Sequence, residues 1–415
     1  MTRSATNASN CGKYTFNIVR YFGRILCFST LVANVCLAGS DQQPIHLNQL
    51  KLGGTLAAAL APDGSRVAAI TSEGLDGEWS GKAFDVLQIW DYRAEKLLIE
   101  RKVNSWNVSR ENPILVAESN FAKSLAYTPD GRQLVYCDGK VIHIFDVSEY
   151  AEVRAFSVTP EKAEKQEWQV QSMSLSPNGK EIAVRLMESK WENNSFWPTS
   201  RLLVSLYSSS TGALEYQREF DAAMGSIGEG LAWSPDGLQV ATILYPSEGT
   251  SSAPNFADLQ IFGISRKDPL SIHTEHLAGD VLFLGNARVL TVSSMPAFGS
   301  GKKDSLRLWD IQKGKLEREI PSAPDGVHYH LKLSQDGRVV LGYVGRDRRN
   351  ENFVDTVEQK FRLWDAASWS VVLTSPPIPG PLDARNIRFA LSATGNVIMV
   401  WWQNVKGPIY VYERQ

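Results

Sequence analysis

A short apolar run that closes on Pro-Asp-Gly or a related turn recurs seven times in this chain. A second pattern, the end of an apolar strand such as IWD, IFD, LWD or VYE, follows each turn before the next one begins. Two patterns that alternate in register are typical of one repeated supersecondary unit. The turns end at Gly64, Gly131, Gly179, Gly237, Ala287, Gly337 and Gly395, and the strand ends fall at Asp91, Asp146, Tyr207, Gly263, Asp310, Asp365 and Glu413.

Each repeat predicts strands rather than helices, because its apolar runs are short, rich in β-branched residues and bounded by Gly, Pro and Asp. One strand precedes the turn, one follows it, a third ends at the second pattern, and most repeats add a short fourth. Seven such units predict an all-β fold, a seven-bladed β-propeller of four-stranded antiparallel blades. The last repeat lacks a fourth strand, and we expect residues 44–52 to supply it and close the ring. Eight blades would require a hidden repeat within residues 104–123.

The first 38 residues predict a secretory signal peptide. They contain four basic residues and no acidic one, and an apolar stretch over residues 25–38 ends in small residues before a cleavage point after Ala38. An uncleaved membrane anchor is the alternative, although the stretch is short for a transmembrane helix. We therefore expect an exported protein, periplasmic or extracellular, whose mature propeller covers residues 39–415 and contains no membrane span.

Charge and cysteine content exclude several classes of function. Removal of the leader leaves 39 basic and 45 acidic residues, and a mildly acidic protein lacks the basic face that nucleic-acid binding needs. The leader also removes three of the four cysteines, which leaves Cys137 and no internal disulfide. Cys137 lies in the strand-like QLVYCDG, and we expect it to be a buried apolar residue rather than a reactive thiol.

The repeats resemble the WD-repeat propellers. Three of them end in Trp-Asp, at Asp91, Asp310 and Asp365, and the segment LAWSPDG at 231–237 also resembles repeats of the periplasmic Tol-system propeller. The resemblance covers about residues 44–415 and implies the fold, not an activity, because propellers host many unrelated functions. No Gly-His dipeptide opens a blade, so the buried Asp-His network of the WD family is not expected here.

In WD-type propellers the first strand of each blade lines the central channel. Small residues dominate the corresponding positions of this chain, but blades five to seven place Asp280, His330, Lys332 and Arg388 there. One interpretation of this polar cluster is a structural ion-pair network. The other is a site for an anion or a carboxylate, since a semi-enclosed channel strengthens charge interactions.

The loops after the second strands share one face of the predicted disc with the connections between blades. Five of these loops are long, at residues 72–84, 188–200, 245–257, 293–303 and 345–357, whereas the Asp-Gly turns of the other face are short. Elaborated loops on a rigid scaffold are typical of a binding surface. We expect tryptophans in these loops and in the connections to anchor a partner, and arginines of one loop to form its rim: Trp79, Trp106, Trp168, Trp191, Trp197, Arg346, Arg348 and Arg349. Alternatively, the rings are buried as a local core.

Motifs for chemistry are largely missing from the sequence. It contains no GxSxG, HExxH or CxxC, and nothing in it implies a cofactor or a metal; His328 and His330 alternate on one strand without a third ligand. The sequence therefore predicts a non-enzymatic binding or assembly module for another protein or peptide, with a glycan as the alternative ligand. The rival hypothesis is an enzyme at the channel mouth that uses Asp280, His330 and Arg388.

Overall fold

The computed structural model describes the chain from residue 45 to residue 414 with internal gaps. The described ranges are 45–52, 54–73, 81–108, 123–160, 166–192, 195–221, 230–245, 257–263, 266–274, 277–295, 305–321, 327–350, 353–382, 386–403 and 405–414. They belong to the unit Cys36–Gln415. The leader predicted over residues 1–38 lies outside them. Within these ranges no helix has the length and apolar character needed to cross a membrane.

All regular elements of the described residues are β-strands, and they form seven antiparallel sheets. After β1 (Ile45–Leu50), blade one contains β2 (Gly54–Leu60), β3 (Val67–Glu73), β4 (Gly81–Asp91) and β5 (Lys96–Val108). Blade two contains β6 (Ser124–Tyr127), β7 (Gln133–Cys137), β8 (Val141–Asp146) and β9 (Ala151–Ser157). Blade three contains β10 (Gln166–Leu175), β11 (Glu181–Glu192), β12 (Ser195–Ser208) and β13 (Leu214–Asp221).

The remaining four blades repeat this order. Blade four contains β14 (Leu231–Trp233), β15 (Gln239–Leu244), β16 (Ala257–Gly263) and β17 (Arg266–Thr274). Blade five contains β18 (Leu277–Phe283), β19 (Arg288–Met295), β20 (Ser305–Asp310) and β21 (Lys315–Pro321). Blade six contains β22 (Val327–Leu333), β23 (Val339–Asn350), β24 (Phe353–Asp365) and β25 (Val371–Thr374). Blade seven contains β26 (Ile387–Leu391), β27 (Val397–Trp402) and β29 (Ile409–Arg414), while β28 (Val405–Lys406) pairs with β2. The predicted seven-bladed propeller is confirmed.

The N-terminal strand closes the ring, as the sequence predicts. β1 pairs antiparallel with β29, with Ile45 opposite Arg414 and Leu50 opposite Ile409. Asn48 Nδ2 also donates to Glu413 Oε1 at 3.2 Å. The last blade thus gains its fourth strand from the other end of the described chain, and the pairing covers the sheet edge that β29 would otherwise expose.

The core lies between neighbouring blades, because side chains of each strand alternate between the two faces of its sheet. On β11, Val184 and Leu186 pack with Val135 and Ile142 of blade two. Ala183, on the opposite face, packs with residues of blade four. Every blade is therefore buried on both faces, and full burial of each such aliphatic side chain contributes about 1.5–3 kcal/mol.

The recurring turn is stabilised by its own side chains. In blade four, Ser234 Oγ donates to Asp236 Oδ1 and accepts from Gln239 N, while Gly237 N donates to Ser234 O. Gly237 has a φ of 71°, a conformation that favours glycine. In blade five the corresponding glycine is Gly285, with a φ of 71°, so the turn residue is not Ala287 as the sequence pattern suggested.

The Trp-Asp pattern has a local explanation at the turn between the third and fourth strands. Asp310 Oδ1 accepts hydrogen bonds from Gln312 N and Lys313 N, both at 3.0 Å. Asp91 accepts equivalently from Arg93 N and Ala94 N. A carboxylate that accepts from backbone two and three residues ahead fixes such turns, which is why the pattern recurs.

Contacts between turns close one face of the ring, the turn face, which consists of the turns that link the first and second strands of the blades. Ala393 N of blade seven donates to Pro62 O of blade one at 2.7 Å, and a Cβ added to Gly64 would lie 2.7 Å from Val397 Cγ2. Gln335 Nε2 of blade six also reaches Pro129 O of blade two, at 3.4 Å. Some polar groups of this face are thus used in contacts between turns.

The opposite face, the long-loop face, includes two segments that differ from expectation. Residues 188–200 and 345–357, predicted as loops, mostly continue the strands of their blades. β11 and β12 pair as far as Glu192 opposite Ser195, and β23 and β24 pair as far as Asn350 opposite Phe353. These two segments form β-hairpins that extend blades three and six by several residue pairs.

Candidate functional site

The hairpin of blade three, formed by β11 and β12, is held at its base by Arg201. Arg201 Nη1 donates to Glu188 Oε1 at 2.7 Å, and Nε and Nη2 donate to both carboxylate oxygens of Glu219 at 2.6 and 3.0 Å. Thr199 Oγ1 donates to the second oxygen of Glu188 at 2.8 Å. Two-pronged pairing of arginine with a carboxylate gives directional hydrogen bonds, so this base keeps the hairpin in one orientation.

Trp168 belongs to this supporting layer rather than to an exposed surface. It lies within β10, is 8% exposed, and packs in the core between blades two and three. The Arg201 guanidinium stands over its ring at 5.4 Å from the centroid. The expectation that Trp168 lies in a connection and anchors a partner is thus corrected: this ring is buried, as in the alternative interpretation.

The structure describes the strand position of three other predicted anchors. Trp106 lies in β5, Trp191 in β11 and Trp197 in β12, and Trp197 pairs with Lys190 two residue pairs before the end of the hairpin. Trp79 lies outside the described residues. The predicted rim arginines, Arg346, Arg348 and Arg349, lie on β23 and pair with β24 at Glu358, Asp355 and Val354. They therefore belong to the hairpin of blade six and not to a loop tip.

Two of the four residues of the predicted channel cluster lie close to each other in the structure. Asp280 and His330 are both buried, and His330 Nδ1 lies 4.0 Å from Asp280 Oδ2. The same carboxylate oxygen accepts from Leu331 N at 3.1 Å. Lys332 and Arg388 are half-buried on the first strands of blades six and seven, and Arg388 Nη1 donates to Ile387 O at 2.9 Å. The Asp280–His330 pair thus joins blades five and six.

His330 has an unusual backbone conformation. Its φ is 55°, a region that glycine adopts readily, and the repeat position in blade four is Gly230, with a φ of 40°. The pairing of β22 with β23 shifts register between Tyr329 and Lys332, which places His330 in a β-bulge. A non-glycine residue in this region stores backbone strain, and such strain clusters at functional sites. No group of three or more metal-ligating side chains occurs among the described residues.

A buried polar network between blades one and two was not predicted. Lys123 Nζ donates to Asp85 Oδ1, and Tyr136 OH donates to Asp85 Oδ2 at 2.6 Å. The side chains of Asp85 and Lys123 are 0% and 3% exposed. Burial, followed by the charge of Asp85, raises the pKa of Tyr136 well above its usual range, so the phenol stays protonated and donates. Asp85, Lys123 and Tyr136 thus form a buried hydrogen-bonded network that joins the two blades, and we refer to these three residues as the structural latch.

Asn104 extends this network to a second carboxylate. Its Nδ2 donates to Asp85 Oδ2 at 3.4 Å and to Asp138 Oδ2 at 2.9 Å. His143 lies between two carboxylates, with Nε2 3.6 Å from Asp138 Oδ2 and Nδ1 2.8 Å from Glu152 Oε2. Burial alone would lower the pKa of His143, but the nearby carboxylates of Asp138 and Glu152 raise it above its ordinary value. The two carboxylates therefore stabilise the charged form of the imidazole relative to a free histidine. Cys137, beside Asp138, is buried, and burial raises the pKa of its thiol to about 12, which makes it unreactive.

Solved structures similar to this chain include one titled Kuenenia stuttgartiensis hydrazine synthase. The match has a TM-score of 0.54 and 14% sequence identity, and it covers 92% of this chain and 99% of that chain. At this identity the likeness supports a shared fold alone. No protein-family model matches the sequence. No curated protein matches it at a significant level. The resemblance to WD-repeat propellers is thus confirmed as a propeller fold, and membership of that family stays a prediction.

Proposed function

We propose that this propeller is a binding module that recognises another protein through its long-loop face. The observation that carries the proposal is the pair of extended hairpins, β11–β12 in blade three and β23–β24 in blade six. The turn face, by contrast, consists of short turns, some of whose polar groups contact one another. Extended hairpins on a rigid ring are suited to partner recognition because a fixed backbone loses little entropy on binding.

The base of the first hairpin supports the same role. Arg201 contacts Glu188, Glu219 and the Trp168 ring at the base of the hairpin whose strands carry Trp191 and Trp197. Tryptophan is enriched among the residues that contribute most to protein–protein binding. We therefore keep these two residues, together with Arg346, Arg348 and Arg349, as the proposed contacts. Export and the non-enzymatic role predicted from the sequence are part of the proposal.

The test removes one hairpin and leaves the ring intact. In the first variant an Asn-Gly turn replaces residues 190–197, since this dipeptide favours the two-residue turn of β-hairpins. In the matched control, Leu238→Glu, the change lies on the turn face at a side chain that is 59% exposed. We expect a partner captured from cell envelope or medium, then purified, to bind the hairpin variant at least tenfold more weakly and the control equally. Equal binding by both variants would contradict the proposal.

A small-ligand or enzymatic site at the channel mouth is the second candidate function. It rests on the strained backbone of His330 and its closeness to Asp280. His330→Gly relieves the backbone and removes the imidazole. A sugar or small carboxylate that raises the melting temperature of the wild type but not that of H330G would favour this candidate; equal shifts in both proteins would count against it.

A further inference from the structure

Arg185 is a buried cation in the interface between blades three and four. It lies on β11, where Val184 and Leu186 pack toward blade two and Ala183 packs toward blade four. Since side chains alternate along a strand, Arg185 is on the same face as Ala183 and is directed toward blade four. The residue is 1% exposed. Water therefore cannot solvate its charge as it would at the surface.

Among the described residues, Arg185 has no counter-charge. Its Nε and Nη1 atoms are buried and make no hydrogen bond, and no acidic side chain of the described residues is among the groups that act on its pKa. Burial lowers the pKa of Arg185 to about 10, which leaves the guanidinium charged at neutral pH. An uncompensated buried charge is strongly destabilising, so a fold that retains one has a reason outside its own packing.

A second unpartnered donor lies beside the guanidinium. Ser172 on β10 is directly opposite Arg185 in the strand register, and it is also buried. Its hydroxyl oxygen makes no hydrogen bond with the described residues. Directly opposed residues of an antiparallel pair have Cβ atoms about 4.5–5.5 Å apart and share a face of the sheet. The interface thus presents hydroxyl and guanidinium donors side by side.

Tyr245, which follows β15 in blade four, lies within electrostatic reach of the guanidinium. Burial raises the pKa of Tyr245 to about 12, and the charge of Arg185 acts in the opposite direction. The phenol therefore stays protonated at neutral pH. The surroundings of Arg185 contribute a neutral aromatic ring rather than an anion, which leaves the charge of the guanidinium uncompensated among the described residues.

We propose that the interface between blades three and four binds a small oxyanion, a carboxylate or a phosphate group, on Arg185 and Ser172. Arg185 would donate to such a group from Nε or Nη1, and the serine hydroxyl adds a further donor. The anion would supply the charge that Arg185 lacks and accept from the donors that have no partner. This site is separate from the long-loop face and goes beyond the proposed function.

Other buried cations of the protein show what a paired site looks like. Lys123 donates to Asp85 between blades one and two. Arg307, which is 8% exposed, donates from Nη2 to Glu319 Oε1 at 3.2 Å. Arg307 is similar to Arg185 in residue type and burial but has a carboxylate of the chain beside it. It therefore provides the matched control.

The experiment measures the affinity of the purified full chain for sodium phosphate and for sodium acetate, by calorimetry and by thermal shift. Sodium chloride at equal ionic strength is the reference. We expect saturable binding of one of the two oxyanions by the wild type and at least a tenfold loss of affinity in R185M. S172A should lose less, and R307M should bind as the wild type does. A preference for phosphate or for acetate identifies the ligand class.

Three results would overturn the proposal. The first is no response of the wild type to either oxyanion beyond that to chloride, and the second is equal binding by R185M. The third concerns Glu229, the acidic residue of the segment 222–229 that connects blades three and four. If E229Q binds an oxyanion and the wild type does not, the result would mean that the Glu229 carboxylate, rather than a ligand, pairs with Arg185.

Binding that is lost in R185M but kept in H330G would locate the ligand between blades three and four rather than in the channel.

Discussion

Between blades one and two, Lys123 is buried against Asp85, whereas between blades three and four Arg185 is buried with no such partner among the described residues. The first interface adds Tyr136 as a donor to the same carboxylate, and the second leaves Ser172 without an acceptor. Both cations are removed from water to a similar extent. The difference teaches that burial of a charge alone does not distinguish a structural latch from a ligand site; the presence of the opposite charge does.

The largest effect is expected from Asp85→Asn, which would make the first interface resemble the second. Lys123 would keep its charge without a counter-ion, and breaking a buried pair in this way costs about 3–5 kcal/mol. We expect the free energy of unfolding in urea, followed by tryptophan fluorescence, to fall by that amount. The control is the double variant D85L/K123M, which removes both charges and should recover most of the loss. A loss below about 1 kcal/mol in D85N would contradict the assignment of a latch.

Arg185→Met should change the free energy of unfolding in the opposite direction to Asp85→Asn. Replacement of buried ionic groups by apolar side chains of similar volume is neutral or stabilising by about 1–4 kcal/mol. In a buffer free of oxyanions we therefore expect R185M to unfold at a higher urea concentration than the wild type. Added phosphate or acetate should then narrow the gap by stabilising only the wild type. Strong destabilisation of R185M in the oxyanion-free buffer would show that Arg185 already has a partner within the chain.

The two hydroxyls next to these cations give a smaller but cleaner contrast. Tyr136→Phe removes a donor to the charged Asp85, and hydrogen bonds to charged groups contribute about 1.5–3 kcal/mol. Ser172→Ala removes a buried hydroxyl that makes no hydrogen bond with the described residues, so stability should be unchanged or higher. Urea unfolding of both variants in oxyanion-free buffer tests the pair. Equal losses of unfolding free energy in Y136F and S172A would contradict the distinction between the two interfaces.

The sequence predicts the fold well because the signals that determine it are local. The turn with Ser234, Asp236 and Gly237 is built from hydrogen bonds across a few residues, and the same is true of the turn that Asp310 fixes. Ring closure by β1 was also predicted, since the last repeat visibly lacks a strand. The exceptions are local as well. In blade five the glycine of the turn is Gly285, and the sequence predicts loops at two hairpins because turn-forming residues stand among their strand residues.

The candidate sites were predicted less well because they depend on contacts between blades. Asp280 and His330 could be expected together because both occupy channel positions of adjacent repeats. Lys123, Asp85 and Tyr136 come from different strands of two blades, and no spacing in the sequence relates them. Arg185 stands in the apolar strand EIAVRL, where nothing local shows whether a carboxylate will face it. That outcome depends on the neighbouring blade, which only the packed structure shows.

The smallest expected effect concerns pH and again separates the two interfaces. His143 has a raised pKa in the folded protein, so its contribution to stability is complete below its ordinary value of 6.5 and is lost as pH rises through the folded value. Asp138 acts in the acid range instead, since its lowered pKa gives a contribution that is lost on acidification. We expect the free energy of unfolding in urea to fall between about pH 6 and about pH 8 in the wild type, and to fall less in H143Q.

The control is R185M. Its free energy of unfolding should change with pH as that of the wild type does, because Arg185, with a pKa of about 10, stays charged throughout this range. Equal slopes in the wild type and H143Q would show that the imidazole contributes no charge to the latch.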